Sequence, residues 1–213
     1  MPEFSLWRDH PFHILFVMAT EDEYGSALQR RIQPLISGVG PVEAASATSE
    51  ALARLEAEHD LPQLVFSLGS AGSRTLEHAK VYQLSSISYR DMDCTPLGFY
   101  RGVVPFLDEP AVIEVPWQIP GIPSASIATG ASIVSGAMYD GVDADMVDME
   151  SYAVYRAAKR FGIPMIGLRG ITDGKSELKQ FEDWASYLGI VDRRLAIELD
   201  RFFVAVKNGT FSL

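Results

Sequence analysis

Two carboxylates stand where successive elements of this chain change direction. Glu150 follows the short apolar segment Asp145-Met146-Val147-Asp148-Met149 and opens a helix expected over 151–161, where Tyr152, Tyr155, Ala158 and Phe161 recur at helical spacing. Residues 164–168 read as the next strand, which ends in Gly170-Ile171-Thr172-Asp173-Gly174. In open α/β sheets the ends of neighbouring strands form the crevice where ligands bind. Singly, each acid has a plain explanation: Glu150 suits the positive end of a helix, and Asp173 suits a turn before glycine. Together they form a candidate site, because a protonated and an ionised carboxyl group side by side can act as acid and base.

A third acidic group follows the apolar run 13–18, which reads as a strand buried on both faces. That run delivers Glu21-Asp22-Glu23 at its C-terminal end. A solvated charge cluster is one reading. Another is a capping box, with Thr20 as N-cap and Glu23 three residues on. Gly38-Val39-Gly40 precedes a helix that starts near Pro41 and runs through alanine-rich sequence to about residue 60. Free N–H groups there suit a phosphate, and a tight turn explains the glycines equally well.

The elements that must hold these residues alternate between strand and helix, so the chain is α/β. Residues 1–12 read as an irregular lead-in. Further strands are expected at 34–37, 64–68, 81–89 and 124–129, with 91–102 as a polar and aromatic loop and the proline-rich 103–123 as strand edges and loop. Gly69-Ser70-Ala71-Gly72 closes the strand at 64–68 with side chains small enough for a ligand to approach the backbone. A final helix is expected from about residue 177 or 181 to 206, with Leu188, Val191, Leu195, Leu199 and Phe202 as its apolar stripe.

Composition narrows the function. The 213 residues fit one domain, 1–213, with a full-sized core. A net charge of −10 and a pI near 4.8 argue against nucleic acid or an anionic membrane as partner. Cys94 is the sole cysteine, no apolar run reaches transmembrane length, and the N-terminus lacks the pattern of a signal peptide, so a cytoplasmic protein is expected. The sequence shows no His/Cys spacing of a metal site, and neither metal nor cofactor is expected.

Five segments in order carry a resemblance: Ala19-Thr20-Glu21-Asp22-Glu23, Ser37-Gly38-Val39-Gly40, Gly69-Ser70-Ala71-Gly72, Val147-Asp148-Met149-Glu150-Ser151 and Ile171-Thr172-Asp173. Over about 13–206 the chain resembles the nucleoside phosphorylase/nucleosidase superfamily, and within it the 5′-methylthioadenosine/S-adenosylhomocysteine nucleosidases. The resemblance implies a nucleoside phosphorylase-like fold, three-layer α/β/α around a central mixed sheet. It implies cleavage of the N-glycosidic bond of a purine nucleoside. By position, Glu23 matches the acid that activates water, and Asp173 the acid that donates toward adenine N7. Glu150 matches the residue that holds the ribose hydroxyls, and Met149 packs on the sugar. Ser70 lines the adenine–water side, Ile133 and Val134 hold adenine, and Phe181 closes the pocket. A homodimer is implied as well, with 97–116 as the loop that completes a partner's 5′ side.

These residue types suit that reaction. Cleavage leaves a ribosyl cation and an adenine anion, so an acid near the base and a carboxylate near C1′ both lower the barrier. A carboxylate on the diol accepts two hydrogen bonds and fixes the sugar. The acidic loop Glu21-Asp22-Glu23 repels phosphate, which favours hydrolysis over phosphorolysis. Two other functions fit the same residues: a related purine nucleosidase such as a futalosine hydrolase, or a nucleoside-binding protein without turnover. Three departures from typical members bear on the substrate. The stretch between Tyr24 and Leu35 is short, Ile133 stands where a phenylalanine is usual, and Thr172 replaces a serine.

Overall fold

The computed structural model describes residues 3–9 and 12–213. Its frame is one nine-stranded mixed sheet with helices packed against it. In chain order the elements are β1 (Trp7–Asp9), β2 (Phe12–Met18), α1 (Ser26–Gln29), β3 (Leu35–Ile36), α2 (Pro41–Ala57), β4 (Leu64–Gly72) and β5 (Val81–Tyr89). There follow β6 (Val112–Glu114), β7 (Ser124–Thr129), β8 (Met146–Asp148), α3 (Ser151–Arg160), β9 (Met165–Asp173), α4 (Phe181–Ala185) and α5 (Leu188–Lys207). Three 3₁₀ turns join them, at Glu21–Glu23, Thr95–Leu97 and Gly136–Gly141.

The centre of the sheet is parallel. β4 lies between β2 and β9, aligned with both. β9 then pairs antiparallel with β5, β5 pairs parallel with β7, and β7 pairs parallel with β8. Near-continuous apolar runs in β2, β4 and β9 follow from this, because both faces of these strands are covered. On α5 the expected stripe, Leu188, Val191, Leu195, Leu199 and Phe202, is buried throughout, with Phe202 edge-on to Phe66 of β4 at 4.9 Å. α2 packs against α3, and α1 against α5.

Three expectations change. Within the lead-in, Trp7–Asp9 forms an edge strand antiparallel to β2, and Trp7 stacks on Phe203 of α5 at 4.5 Å. Burial of that indole, which no periodicity announces, orders the segment. The final helix is two helices: α4 ends at Ala185, and α5 begins at Leu188. Gln180 and Asp183 form a capping box that starts α4 separately. The third change is at Asp173, which is the last residue of β9 and pairs with Gly72, so it belongs to the sheet and not to a turn.

One long-range contact ties α5 to the acidic loop. Asp192, buried on α5, accepts hydrogen bonds from the N–H groups of Ala27 and Leu28, both at 3.0 Å, and so caps the first turn of α1 just after Glu23. Gly25 makes room, because a Cβ there would lie 2.5 Å from the Asp192 carboxyl carbon. Asp192→Ala orphans two buried donors and is expected to cost about 1–3 kcal/mol in urea denaturation. An unchanged midpoint and slope would show that water satisfies these groups equally well.

Candidate active site

The small residues that end β4 are the floor of a cavity of about 620 Å³, a size suited to a small ligand. The cavity draws its lining from the ends of β2, β4, β8 and β9 and from segments 132–134 and 178–184. Glu23, Ser70, Ile133, Val134, Met149, Glu150, Asp173 and Phe181 all border it.

Glu23 is 7% exposed although it lies in a three-acid run. Glu21 and Asp22 face solvent, and the Thr20 hydroxyl accepts the Asp22 N–H at 2.8 Å. Thr20 therefore caps the turn alone, and Glu23 takes no part in a capping box. Its carboxylate turns inward: Oε1 accepts the Ser70 N–H at 2.7 Å, while Oε2 is buried without a protein partner. A Cβ on Gly69 would sit 3.3 Å from both carboxylate oxygens, so the bare backbone of β4 is what admits this side chain. Burial pushes the Glu23 carboxyl well above its ordinary value, against the opposing pull of Ser70 and of Arg169.

Glu150 occupies the N-cap position of α3 but makes no cap bond. Asp148 does that work: its Oδ2 accepts the Ser151 N–H at 3.0 Å, and Thr129 Oγ1 accepts the Tyr152 N–H at 3.0 Å. Glu150 is thereby free to reach the cavity, where Oε1 accepts the Gly40 N–H at 2.8 Å. The Gly-x-Gly segment holds a protein carboxylate, and Gly40 has the positive φ of 95° that aims its N–H this way. Burial, with Asp148 adding repulsion, pushes Glu150 up to about 7.

Asp173 ends β9 with Oδ1 accepting from the Thr172 hydroxyl at 2.8 Å. Burial raises it too, opposed by that bond and by His78. Gly174 must be glycine: φ is +112°, and a Cβ would lie 2.5 Å from the backbone of Ser73.

Ile133 and Phe181 are exposed at the rim, and Val134 is buried. Four further residues were not singled out from sequence. Trp184 lines the cavity edge-on to Phe181 and donates from Nε1 to Ser70 Oγ at 3.0 Å; its position three residues after Phe181 on a helix was the available signal. Arg90 also borders the cavity, yet its guanidinium donates to the carbonyls of Ala128, Asp148 and Ser132. Beneath the floor, Arg169 and Asp148 form a fully buried ion pair at 3.0 Å, and Arg169 also donates to Ser67 and Ser151 hydroxyls at 2.8 Å each. A lone arginine inside the apolar strand Met165–Ile171 was its sequence signal. Among the described residues, no group of three or more His, Cys, Asp or Glu side chains is arranged to hold a metal ion, and no helix is long and apolar enough to cross a membrane.

Residues 122–203 match the model of the phosphorylase superfamily, and this span carries β8, α3 and β9 with Glu150 and Asp173. Over that span, which is less than half of the chain, the sequence is similar to the phosphorylase superfamily. Its relatives include the 5′-methylthioadenosine/S-adenosylhomocysteine nucleosidase of Marinomonas sp. (strain MWYL1), 28% identical over 173 residues, 70% of this chain and 72% of the relative. That of Hydrogenovibrio crunogenus is 28% identical over 186 residues, 78% of each chain. Among solved structures, Helicobacter pylori 5′-methylthioadenosine/S-adenosylhomocysteine nucleosidase superposes with a TM-score of 0.75 at 18% identity, covering 89% of this chain and 97% of the other. A futalosine hydrolase mutant of Helicobacter pylori gives the same TM-score, identity and coverage. A mixed sheet with packed helices is thus common to this chain and to both enzymes.

A buried carboxyl group whose folded value lies above its unfolded value binds its proton more tightly when folded. Stability from that proton is complete below about pH 4.5 and is lost as pH rises through about 7, and Glu23 and Asp173 act in the same sense. The melting temperature of the free protein is expected to fall between about pH 5 and about pH 8. Glu150→Gln should flatten this decline in calorimetric scans. A decline of the same steepness in the variant would place the responsible proton elsewhere.

Proposed function

We propose that this protein hydrolyses the N-glycosidic bond of 5′-methylthioadenosine, and of S-adenosylhomocysteine, releasing adenine and the 5′-thioribose. The observation that carries the reading is the Glu23 carboxylate: one oxygen is held by the backbone of Ser70, and the other is buried without a partner beside the cavity that Glu150 and Asp173 also border. An oxygen so placed accepts a proton from water near C1′. Burial favours the protonated form of Asp173, which gives its proton to N7 as the C1′–N9 electron pair moves into the base. Glu150 accepts the ribose hydroxyls while the N–H of Gly40 steadies it, and Met149 packs on the sugar. Burial raises all three acids, so their partners set the difference in role. Glu23 has a backbone N–H and the field of Arg169 to favour its charged form, which Asp173 lacks.

Ile133 and Val134 hold adenine by aliphatic contact and main-chain bonds, and Phe181 covers the entrance. Water is the nucleophile. Glu21 and Asp22 are exposed beside Glu23; of the two cations that line the cavity among the described residues, Arg90 has its guanidinium committed to carbonyl oxygens, and Lys179 is exposed on the segment 178–184. Neither metal nor cofactor enters the reaction.

The same reading extends to the whole molecule. The chain is then a single domain of three layers, a reading that the packing of α2 on α3 and of α1 on α5 supports. It works as a cytoplasmic homodimer in the salvage of the methylthio group. Leu97, Tyr100 and Phe106 of the 97–116 loop are 76%, 85% and 99% exposed, which suits the completion of a partner's 5′ pocket.

Adenine release from 5′-methylthioadenosine, followed with and without phosphate, tests the reaction. Equal rates are expected. A requirement for phosphate would make the protein a phosphorylase, and no release alongside turnover of another purine nucleoside would replace the substrate. Asp173→Asn and Glu23→Gln should each lower kcat by at least about 100-fold while the fold is kept. Wild-type kcat in either variant would move that role to another group.

A further inference from the structure

Behind the cavity floor lies a buried hydroxyl without a partner. Tyr139, on the 3₁₀ turn Gly136–Gly141, is 7% exposed and packs with Val134 and Val147 in a small cluster apart from the main core. Its hydroxyl makes no hydrogen bond. Native proteins rarely leave such a group unsatisfied, so each case calls for an explanation. The hydroxyl is not adrift, because Gly72 locates it. A Cβ on Gly72 would collide with the Tyr139 hydroxyl, would lie 2.7 Å from Asp173 Oδ2, and would touch Val147 Cγ2 at 3.2 Å. The phenol and the carboxyl group therefore converge on one point, opened by the absence of a side chain at Gly72. Asp173 Oδ1 already has the Thr172 hydroxyl. Oδ2 is the oxygen on the Gly72 side, where the Tyr139 hydroxyl also lies.

We propose that Tyr139 is a positioning residue for Asp173, its hydroxyl donating to Oδ2 once that carboxyl group has given up its proton. The proposal rests on the acid role given to Asp173 above. As the Asp173 O–H bond breaks and the N7–H bond forms, negative charge appears on the carboxylate. Tyr139 then supplies a charge-assisted hydrogen bond and keeps its own proton throughout. It borders Asp173 from behind the floor and does not touch the nucleoside.

The surrounding charges suit a donor. Burial and the charge of Asp173 raise the Tyr139 phenol, so it stays protonated at every working pH, while Arg90 and Arg74 pull the other way. Arg74 lies over the ring with its guanidinium 5.7 Å from the centroid, and it pairs with Asp140 at 2.7 Å. On its other side Asp173 feels His78, whose own neighbour is Lys175; burial holds His78 below its ordinary value, so it is largely neutral near pH 7. No cation among these is ion-paired with Asp173, and Tyr139 is the hydroxyl that Gly72 places on the side of Oδ2.

Tyr139→Phe removes one oxygen and keeps the ring. With 5′-methylthioadenosine, kcat is expected to fall about tenfold to hundredfold with KM within about twofold, because the bond forms only as charge develops. The alkaline limb of the kcat profile, where Asp173 loses its proton, should move up by about one pH unit. The melting temperature should hold or rise, since an unpartnered hydroxyl is lost; a purely structural tyrosine would show the reverse pattern. A titration of the Asp173 carboxyl carbon by ¹³C NMR in free wild-type and Tyr139→Phe proteins needs no turnover. It should show the same upward shift. Coincident titrations in the two proteins would overturn the proposal. If the wild-type protein released no adenine, the assigned reaction would fall while the titration still decided the pairing of Tyr139 with Asp173.

Discussion

The buried pair of Arg169 and Asp148 organises this molecule. Both side chains are almost wholly removed from water, and each would be costly there alone. The cost is met by a closed set of bonds: Arg169 to Asp148, Ser67 and Ser151, and Asp148 to Thr129 and the Ser151 N–H. These partners come from β9, β8, β4, β7 and α3, so five elements must arrive in one register for the network to close. A one-residue slip in any of these strands would turn its side chain to the opposite face and strand a charge. Such a pair contributes more to a unique arrangement than to net stability, and here that arrangement is what places Glu150 and Asp173 beside the same cavity.

Asp148 also explains why the next acid is available. A helix N-terminus ordinarily recruits the nearest acidic or hydroxyl side chain. Here Asp148 and Thr129 satisfy the first N–H groups of α3, and the carboxylate of Glu150 goes to the Gly40 N–H across the cavity. A similar division holds in the acidic loop, where Thr20 satisfies the turn and Glu23 is left to Ser70. In both places a neighbour takes over the local capping duty, and the chemically useful carboxylate is released inward. Small residues complete the arrangement: without side chains at Gly69 and Gly72, Glu23 and Asp173 approach the backbone of β4 closely.

Much of the frame was legible in the residues. Strands β5 and β7 and helix α3 follow from apolar runs, alternation and helical spacing, since these signals are local and the core lies on both faces of the sheet. Trp7–Asp9 was not legible as a strand, because its order comes from stacking on Phe203 nearly two hundred positions away in the chain. The break between α4 and α5 was missed for a related reason: the apolar stripe continues through it, and only the capping box at Gln180 and Asp183 marks a separate start. Tyr139 carried no motif, and its position depends on a contact with Gly72 that no spacing encodes; the spacing of Trp184 from Phe181 was a signal, but its bond to Ser70 was not legible.

By itself the sequence determined the α/β class and the identity of three acids at the ends of three different strands, because hydrophobic periodicity and residue type are properties of short stretches. Only the tertiary structure decided which of the acids in Glu21-Asp22-Glu23 turns inward, that the N–H of Gly40 serves Glu150, and that an unpartnered phenol stands against Asp173. Those outcomes are set by competition among hydrogen-bond donors brought together from distant parts of the chain, and the winner depends on burial and geometry that exist only once the sheet has formed.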